Sequence, residues 1–226
     1  MAIRLEKGQR INLEKDNGQS LRQFCVGCNW GAIITKTSGF LGFGSKTRTQ
    51  DVDLDLSCLV LDGSGQMLDY LYSPDYRPEF LADYGLPPGH LDTADKALRH
   101  SGDDRKGDQG GDDGLDNEVI TVDLDKIDNR AQQIIFFLNN VGAEDFAAIP
   151  YAAIRMYEGT PTRAGEVFAS YDVAAEARFQ GCRALLMGRL YRRDGKWRFA
   201  ALGDATTDDN IAETIRRILR DNANRG

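Results

Sequence analysis

The segment "SGDDRKGDQGGDDGLDNEVITVDL", residues 101–124, is dense in acidic side chains. Between Asp103 and Glu118 it carries seven carboxylates and four glycines against two cations, Arg105 and Lys106. Two like charges about 4 Å apart repel by about 4 kcal/mol at an effective dielectric constant of about 20. These acids therefore need either full solvation or a bound cation. The glycines permit the sharp turns that aim oxygens at one centre, and calcium takes roughly six to eight oxygen ligands.

A second acidic feature lies in "DVDLDLSCLVLD", residues 51–62. Side chains alternate between the two faces of a strand, which places Asp51, Asp53 and Asp55 on one face and the apolar residues on the other. Aspartate is a poor strand former, and neighbouring like charges gain nothing from one another. A cation held between this strand and the acidic loop would give both features a use.

Other interpretations of the acidic loop stay open. It fits neither an EF-hand nor a phosphate-binding loop, because the required ligand spacing and the P-loop lysine are missing. A solvated acidic loop needs no ion. A two-metal phosphoryl hydrolase would use clustered carboxylates with Mg²⁺ or Mn²⁺, and Arg105 and Lys106 would receive the phosphate.

Other catalytic arrangements are missing from the sequence. The two histidines, His90 and His100, lie in no recognisable catalytic context, and the chain has no G-x-S-x-G element. Cys25 and Cys28 form "CVGC" within a strand pattern, where residues three apart point to opposite faces. We interpret them as buried strand cysteines. The sequence therefore favours a protein that is not an enzyme.

Alternating apolar residues predict short strands along most of the chain. Asp194-Gly195 suits the tight type I′ turn of a hairpin. This pattern is typical of an antiparallel β-sandwich. The predicted strands are "IRLEKGQRINLEK" (two runs), "FCVGCNW", "VDLDLSCLVLD", "QMLDYLY", "EVITVDLDKI", "QQIIFFLN", "AAIRMYE", "GEVFASYDV", "CRALLMGRLYRR" and "KWRFAAL".

Two segments depart from this pattern. Residues 73–98 contain four of the six prolines and are predicted to form a surface insertion with one helical turn. The tail is predicted as an amphipathic helix, capped by Thr207 or Asp208, whose apolar stripe docks on the chain's own sandwich. The predicted organisation is thus a sandwich domain over residues 1–205 and a helix over 206–226. The stripe consists of Ile211, Ile215, Ile218 and Leu219.

Composition restricts the partners. The chain has 226 residues and a formal net charge of −7, and it lacks the basic footprint that nucleic acid requires. It also lacks the apolar run of a signal peptide or of a membrane span. We therefore expect a cytoplasmic protein without direct membrane insertion, whose oligomeric state the sequence does not reveal.

Several motifs, in order along residues 3–205, resemble the TerD family of tellurium-resistance and stress proteins. They are "LEKGQRINLEK", "GCNW", "DVDLDLSCLVLD", the acidic loop with its following strand, and "GRLYRRDGKWRFAALGDA". The resemblance implies a calcium-binding β-sandwich, without enzymatic activity, that acts with other tellurium-resistance and stress proteins in cytoplasmic complexes near a membrane. The loop is about four residues longer than is common in that family, and the insertion and the C-terminal helix also exceed its short form.

The resemblance also implies a ligand set. The Asp-Leu-Asp element of the family matches Asp53-Leu54-Asp55, its Gly-Asp-Asn start matches Gly102-Asp103-Asp104, and its Asp-Asp-Glu end matches Asp116-Asn117-Glu118. The predicted metal ligands are Asp53, Asp55, Asp103, Asp104, Asp112, Asp113, Asp116, Asn117 and Glu118.

We expect two calcium ions, which would change the formal charge from −7 to −3. They would pin the loop to the acidic strand and present a fixed surface to a partner. A purely structural calcium site, without a signalling role, stays an alternative.

Overall fold

A computed structural model of the chain describes residues 3–14, 18–38, 45–172 and 177–223, which form two packed β-sheets and two helices. The helices are α1 (Pro78–Asp83) and α2 (Ile211–Ala223). The strands are β1 (Ile3–Arg4), β2 (Arg10–Asn12), β3 (Gln23–Trp30), β4 (Ile33–Ser38), β5 (Ser45–Gln50), β6 (Leu54–Leu61), β7 (Met67–Leu71), β8 (Leu98–His100), β9 (Glu118–Asp123), β10 (Gln133–Asn140), β11 (Ala152–Thr160), β12 (Arg163–Asp172), β13 (Ala184–Arg193) and β14 (Lys196–Thr206).

The sheets have the strand orders β1-β12-β11-β3-β9-β8 and β2-β14-β13-β10-β6-β7, and β4 and β5 form a separate hairpin. All of these pairings are antiparallel except that of β1 with β12. The antiparallel β-sandwich predicted from the sequence is thereby confirmed. The Asp194-Gly195 turn is confirmed as well, with φ angles of 54° and 74° between paired Arg193 and Lys196.

The main core lies between the inner faces of the two sheets. Val26 and Cys28 of β3 pack there with Leu56 of β6 and Phe136 of β10, all almost fully buried. Cys25, on the opposite face of β3, is also buried, and both cysteines are free thiols. The CVGC cysteines are therefore buried strand residues, as predicted.

A second core lies under α2, on the outer face of the second sheet. Ile211, Ile215 and Ile218 pack there with Leu59 and Phe137, and all five are buried. The stripe docks on the chain's own sandwich, as expected. Strand β6 is consequently covered on both faces, so its aspartate face is not the solvated surface that alternation alone would suggest.

The predicted cap of α2 was wrong. The side chain of Asn210 accepts a hydrogen bond from the Glu213 amide at 3.1 Å, which makes Asn210 the N-cap. Glu213 accepts a hydrogen bond from the amide of Asp209, the residue before the cap, at 3.0 Å. Asp208 instead forms an ion pair with Arg217. Five adjacent residues of capping type, 206–210, precede the helix, so the local pattern could not single out Asn210.

The segment over residues 73–98 carries the short helix α1 and returns to the first sheet at β8. Leu81 of α1 is buried in the core under α2, so this segment packs on the domain. The phenol groups of Tyr70 and Tyr72 donate hydrogen bonds to the carbonyls of Pro88 and Pro87. Among the described residues no helix is long and apolar enough to cross a membrane.

Candidate metal centre

The acidic loop lies between β8 and β9, across one end of the sandwich. The amide of Asp108 donates to the carbonyl of Trp30, at the end of β3, over 3.0 Å. The carbonyl of Lys106 accepts from the amide of Val52, just before β6, over 3.1 Å. Backbone hydrogen bonds thus hold the loop against the end of β3 and the start of β6.

The first carboxylate cluster joins the loop to β6. Asp53, Asp55 and Asp103 place one oxygen each within 4.8 Å of one another. The three side chains line a cavity of about 210 Å³. These three residues were predicted from the sequence to share one site, and the structure brings them together.

Burial makes this cluster electrostatically costly. Asp55 is only 4% exposed, and burial together with the Glu118 carboxylate raises its pKa well above the usual range. Burial and the nearby Asp103 carboxylate raise the pKa of Asp53 to about 6. A raised carboxyl pKa means that the environment disfavours the charged form, and a bound cation would relieve that penalty.

Two oxygens of this cluster lack the contacts that buried acceptors normally have. The Oδ1 atoms of Asp53 and Asp103 are buried and accept no hydrogen bond from any residue that the structure describes. Most buried polar atoms have a partner, and an orphan requires an explanation such as an ion. Oxygen donors gathered around a cavity match the preference of calcium and magnesium.

The second cluster lies within the loop itself. Asp108, Asp112 and Asp113 also place one oxygen each within 4.8 Å of one another. Tyr151 donates a hydrogen bond to Asp108 Oδ2 at 2.8 Å, and Asn29 donates one to Asp112 Oδ1 at 2.8 Å. This cluster is more exposed than the first, and its carboxylates are oriented by polar side chains from β3 and from the start of β11.

Asp108 was missing from the predicted ligand set. The extra loop residues left the positions of Asp108, Asp112 and Asp113 undefined in the sequence, and only Asp112 and Asp113 were included in the set. The structure brings Asp108 to the centre of the second cluster through its bridge to Gly31. That pairing is non-local, so no pattern inside the loop could have revealed it.

Glu118 anchors the loop and belongs to neither cluster. Its Oε2 accepts a hydrogen bond from the Leu56 amide at 2.7 Å and its Oε1 accepts one from the Asp104 amide at 3.0 Å. The imidazole of His100 lies 3.4 Å from Oε2. Glu118 thus holds the loop against β6 through two backbone amides, and its predicted role as a metal ligand stays a prediction. His100 had not been included in the site predicted from the sequence.

Asp104 and Asn117 also organise the loop. Asp104 Oδ1 accepts from the amides of Lys106 and Gly107 at 2.9 and 3.1 Å. Asn117 Oδ1 accepts from the Trp30 amide at 2.7 Å, and its Nδ2 donates to Asp108 Oδ1 at 3.2 Å. Both residues lie beside the clusters without joining the two groups of converging oxygens.

Asp116 belongs to neither cluster. Its fully buried carboxylate pairs with Arg155 of β11, with an Oδ1 to Nε distance of 2.9 Å. A Cβ at Gly27 would lie 2.1 Å from Asp116 Oδ2, so glycine at that position makes room for the acid. The ion pair supplies a partner for Oδ1, whereas Oδ2 is buried and accepts no hydrogen bond from the described residues.

Comparison with known sequences places the whole chain in one group. A family model described as the TerD domain matches residues 1–73 and 88–217. The chain is 30% identical over 226 residues to the stress response protein SCP2 of Bacillus subtilis (strain 168), covering 97% of this chain and 100% of the relative. It is 27% identical over 222 residues to the tellurium resistance protein TerZ of Serratia marcescens, covering 96% of this chain and 100% of that relative.

Two solved structures share the fold. One, described as the unknown function protein SAV2460, superposes with a TM-score of 0.56 at 19% identity, over 88% of this chain and 96% of its own. The other is a homologue of the telluride resistance protein TerD from Streptomyces coelicolor A3(2), with a TM-score of 0.52 at 16% identity, over 84% of this chain and 91% of its own. The family match omits residues 74–87 and extends into α2.

Proposed function

The chain belongs to the TerD family, and from this premise we propose that it is a calcium-binding stress-response protein of the tellurium-resistance type. Relatives that align over their full length carry the names stress response protein and tellurium resistance protein. We propose that two Ca²⁺ ions order the acidic loop and that the ordered loop acts as a binding module.

The observation that carries this proposal is the cluster of Asp53, Asp55 and Asp103. Three carboxylates converge at the mouth of a cavity, and two of them present buried oxygens that accept no hydrogen bond from the described residues. Sequestered carboxylates that were only structural would normally have donors around them. A divalent cation would offset two of the three negative charges.

The chemistry of the donors favours a hard cation. Both clusters offer only carboxylate oxygens, which suit calcium and magnesium better than zinc or copper. The nearest imidazole, that of His100, is occupied by the Leu56 carbonyl at 3.0 Å and the Gly102 amide at 3.0 Å. We therefore assign one ion to Asp53, Asp55 and Asp103, and one to Asp108, Asp112 and Asp113.

The ions would act by neutralising charge. Each Ca²⁺ would allow its carboxylates to stay ionised together and would fasten residues 103–113 to each other and to the start of β6. Asp104, Asn117 and Glu118 would keep the loop backbone in place through the hydrogen bonds described above. The product is a rigid surface for a partner, which we expect among other tellurium-resistance and stress proteins of cytoplasmic complexes near a membrane.

A two-metal phosphoryl hydrolase is the second candidate. It requires a cation that can receive phosphate, and the candidates from the sequence are Arg105 and Lys106. The guanidinium of Arg105 is paired with the carboxylates of Asp103 and Asp75. This double pairing supports an ion-binding module over a hydrolase.

Calorimetric titration of chelator-treated protein with Ca²⁺ and then Mg²⁺ tests the proposal. We expect about two equivalents of Ca²⁺ and a rise in thermal stability, because a ligand at about 100 times its dissociation constant adds about 2.7 kcal/mol per site. Asp55→Asn should remove one equivalent, whereas Glu6→Gln, an exposed carboxylate in neither cluster, should remove none. Absence of Ca²⁺ binding would refute the proposal, and tighter binding of Mg²⁺ or Mn²⁺ would favour the hydrolase.

A further inference from the structure

The segment 74–87, which the family match omits, lies against the first carboxylate cluster. Asp75 and Tyr76 line the same cavity as Asp53, Asp55 and Asp103. A surface insertion without a role at the site would not be expected to line that cavity. Its position there indicates that this segment is part of the site.

The segment is held in place from its other side. Leu81 is buried with Ile211 and Ile215 of α2. The guanidinium of Arg216 lies 4.7 Å from the ring centroid of Tyr84 and donates to the Tyr84 carbonyl at 3.2 Å. The segment therefore has a fixed base on α2, from which Asp75 and Tyr76 extend over the cluster.

Tyr76 covers the most buried carboxylate of the cluster. Its hydroxyl is buried and lies beside the Asp55 carboxylate. Burial and the adjacent Asp55 carboxylate raise the pKa of Tyr76, so its phenol stays neutral beside that acid. The phenol thus lies at the edge of the cavity beside Asp55, next to the carboxylate that a cation at this cluster would bind.

Arg105 connects the segment to the cluster. Its Nε donates to Asp103 Oδ2 at 2.8 Å, and its terminal nitrogen pairs with Asp75. A guanidinium on Asp103 neutralises the same carboxylate that a divalent cation would need. Arg105 occupies Oδ2 of Asp103, while Oδ1 accepts no hydrogen bond from the described residues. Arg105 and a divalent cation would therefore compete for the negative charge of Asp103, and Asp75 is a second acceptor that Arg105 already contacts.

We propose that segment 74–87 completes the cation site, with Tyr76 closing over Asp55 and with Asp75 holding Arg105 when a divalent cation takes Asp103. The inference rests on the proposed function, since it concerns the same ion. It adds a counter-ion exchange to the site. The divalent cation replaces the contact of Arg105 with Asp103, and Asp75, which lies outside the family match, keeps Arg105 bound. The segment thereby sets the affinity of the first site in this chain.

Calcium titrations of charge variants test the exchange. Arg105→Gln removes the competitor and should tighten the first site about tenfold, as removal of a nearby like charge predicts. Lys106→Gln makes the same charge change at the neighbouring residue and should have a clearly smaller effect. Asp75→Asn should weaken the site several-fold, while Asp83→Asn, an exposed acid of the same segment, should not.

A double variant shows whether Asp75 affects calcium binding by holding Arg105 or through its own charge. If Asp75 acts by holding Arg105, then Asp75→Asn has little effect in an Arg105→Gln background. An unchanged or weakened first site in Arg105→Gln, in protein that still binds two ions, would overturn the inference and leave the proposed function intact. Wild-type protein that binds no calcium would overturn both.

Terbium luminescence locates Tyr76 independently. Tb³⁺ replaces calcium at oxygen sites and emits when a nearby tyrosine is excited. Tyr76→Phe should lower the sensitised emission of the first site, and Tyr151→Phe should lower that of the second, where Tyr151 contacts Asp108. Wild-type emission in Tyr76→Phe would show that the phenol does not lie beside the ion.

Discussion

Glu118 accepts a hydrogen bond from the backbone amide of Leu56 at 2.7 Å, and this contact ties the strand that follows the acidic loop to the strand that carries Asp55. The two strands belong to different sheets. A single carboxylate thus bridges the sandwich at the end where the acids gather. Because Glu118 is 1% exposed, the bridge is shielded from solvent.

Glu118→Ala should strongly destabilise the protein even without calcium. The change leaves the amides of Leu56 and Asp104 without their acceptor, and each unpaired buried donor costs about 1 to 3 kcal/mol. Denaturant unfolding in the presence of a chelator measures the loss. Glu118→Gln keeps one carbonyl oxygen and should fall between the alanine variant and the wild type. A loss below about 0.5 kcal/mol in the alanine variant, the range of ordinary surface changes, would contradict the assigned role.

The stability of the calcium-free protein should depend on pH through Asp53. Its usual pKa is 3.8 and its folded pKa is raised to about 6. Between these values the folded state binds more protons than the unfolded state, so stability falls as the pH rises. The contribution of Asp53 is present below the lower value and is lost once the pH passes the upper one.

Asp53→Asn isolates this contribution. With a chelator present, the wild type should lose stability relative to Asp53→Asn as the pH is raised from about 4 to about 7, in the direction set by linkage. Unfolding midpoints across this range provide the measurement. A constant difference between the two proteins would show that Asp53 is not buried among like charges. Calcium should abolish the difference between the two proteins in how stability changes with pH, because it holds the Asp53 carboxylate ionised.

Much of the sandwich could be predicted because its strands bury one alternating apolar face. The hairpin of β4 and β5 was missed because "IITKTS" and "SKTRTQ" lack that alternation and are largely exposed. The second core under α2 was predicted only from the apolar stripe of the helix. In β6, Leu59 and Leu61 continue the face of Asp55 with apolar residues, a sign of burial on both faces that the sequence interpretation did not use.

The site was predicted in composition and only partly in arrangement. Asp53, Asp55 and Asp103 were expected together, because strand alternation and a glycine-rich loop both constrain where carboxylates point. The partner of Asp116 is Arg155, 39 residues away in sequence, and pairing over such a distance leaves no local signal. For the same reason, nothing in the proline-rich insertion indicated that Asp75 lies beside the first carboxylate cluster.

Gly107 and Gly110 form a matched pair for testing the loop. Gly107 has a φ of 66°, and a Cβ there would lie 2.6 Å from Cδ1 of Trp30. Gly110 has no positive φ, and nothing lies within 4 Å of a Cβ built on it. Gly107→Ala should cost about 1 to 2 kcal/mol from the left-handed backbone alone, and the clash with Trp30 adds to this.

We expect Gly107→Ala to weaken calcium binding and stability together, because Asp108 follows directly and depends on the same backbone turn. Gly110→Ala should leave both close to wild type. Calorimetry and thermal unfolding on the two variants give the comparison. Equal effects would indicate that the loop adapts freely and that its turn is not fixed by Trp30.

Asp108 and Asp116 provide the sharpest test of which acids hold the ions. Asp116 is committed to Arg155 inside the protein, whereas Asp108 converges with Asp112 and Asp113. Asp108→Asn should therefore remove one equivalent of calcium. Asp116→Asn should keep both equivalents but lower the unfolding free energy by about 3 kcal/mol, as expected when one partner of a buried ion pair is removed. Stoichiometry by calorimetry and unfolding in chelator separate the two effects. Loss of calcium in Asp116→Asn at unchanged stability would return Asp116 to the ligand set and would mean that Arg155 releases it when the ion binds.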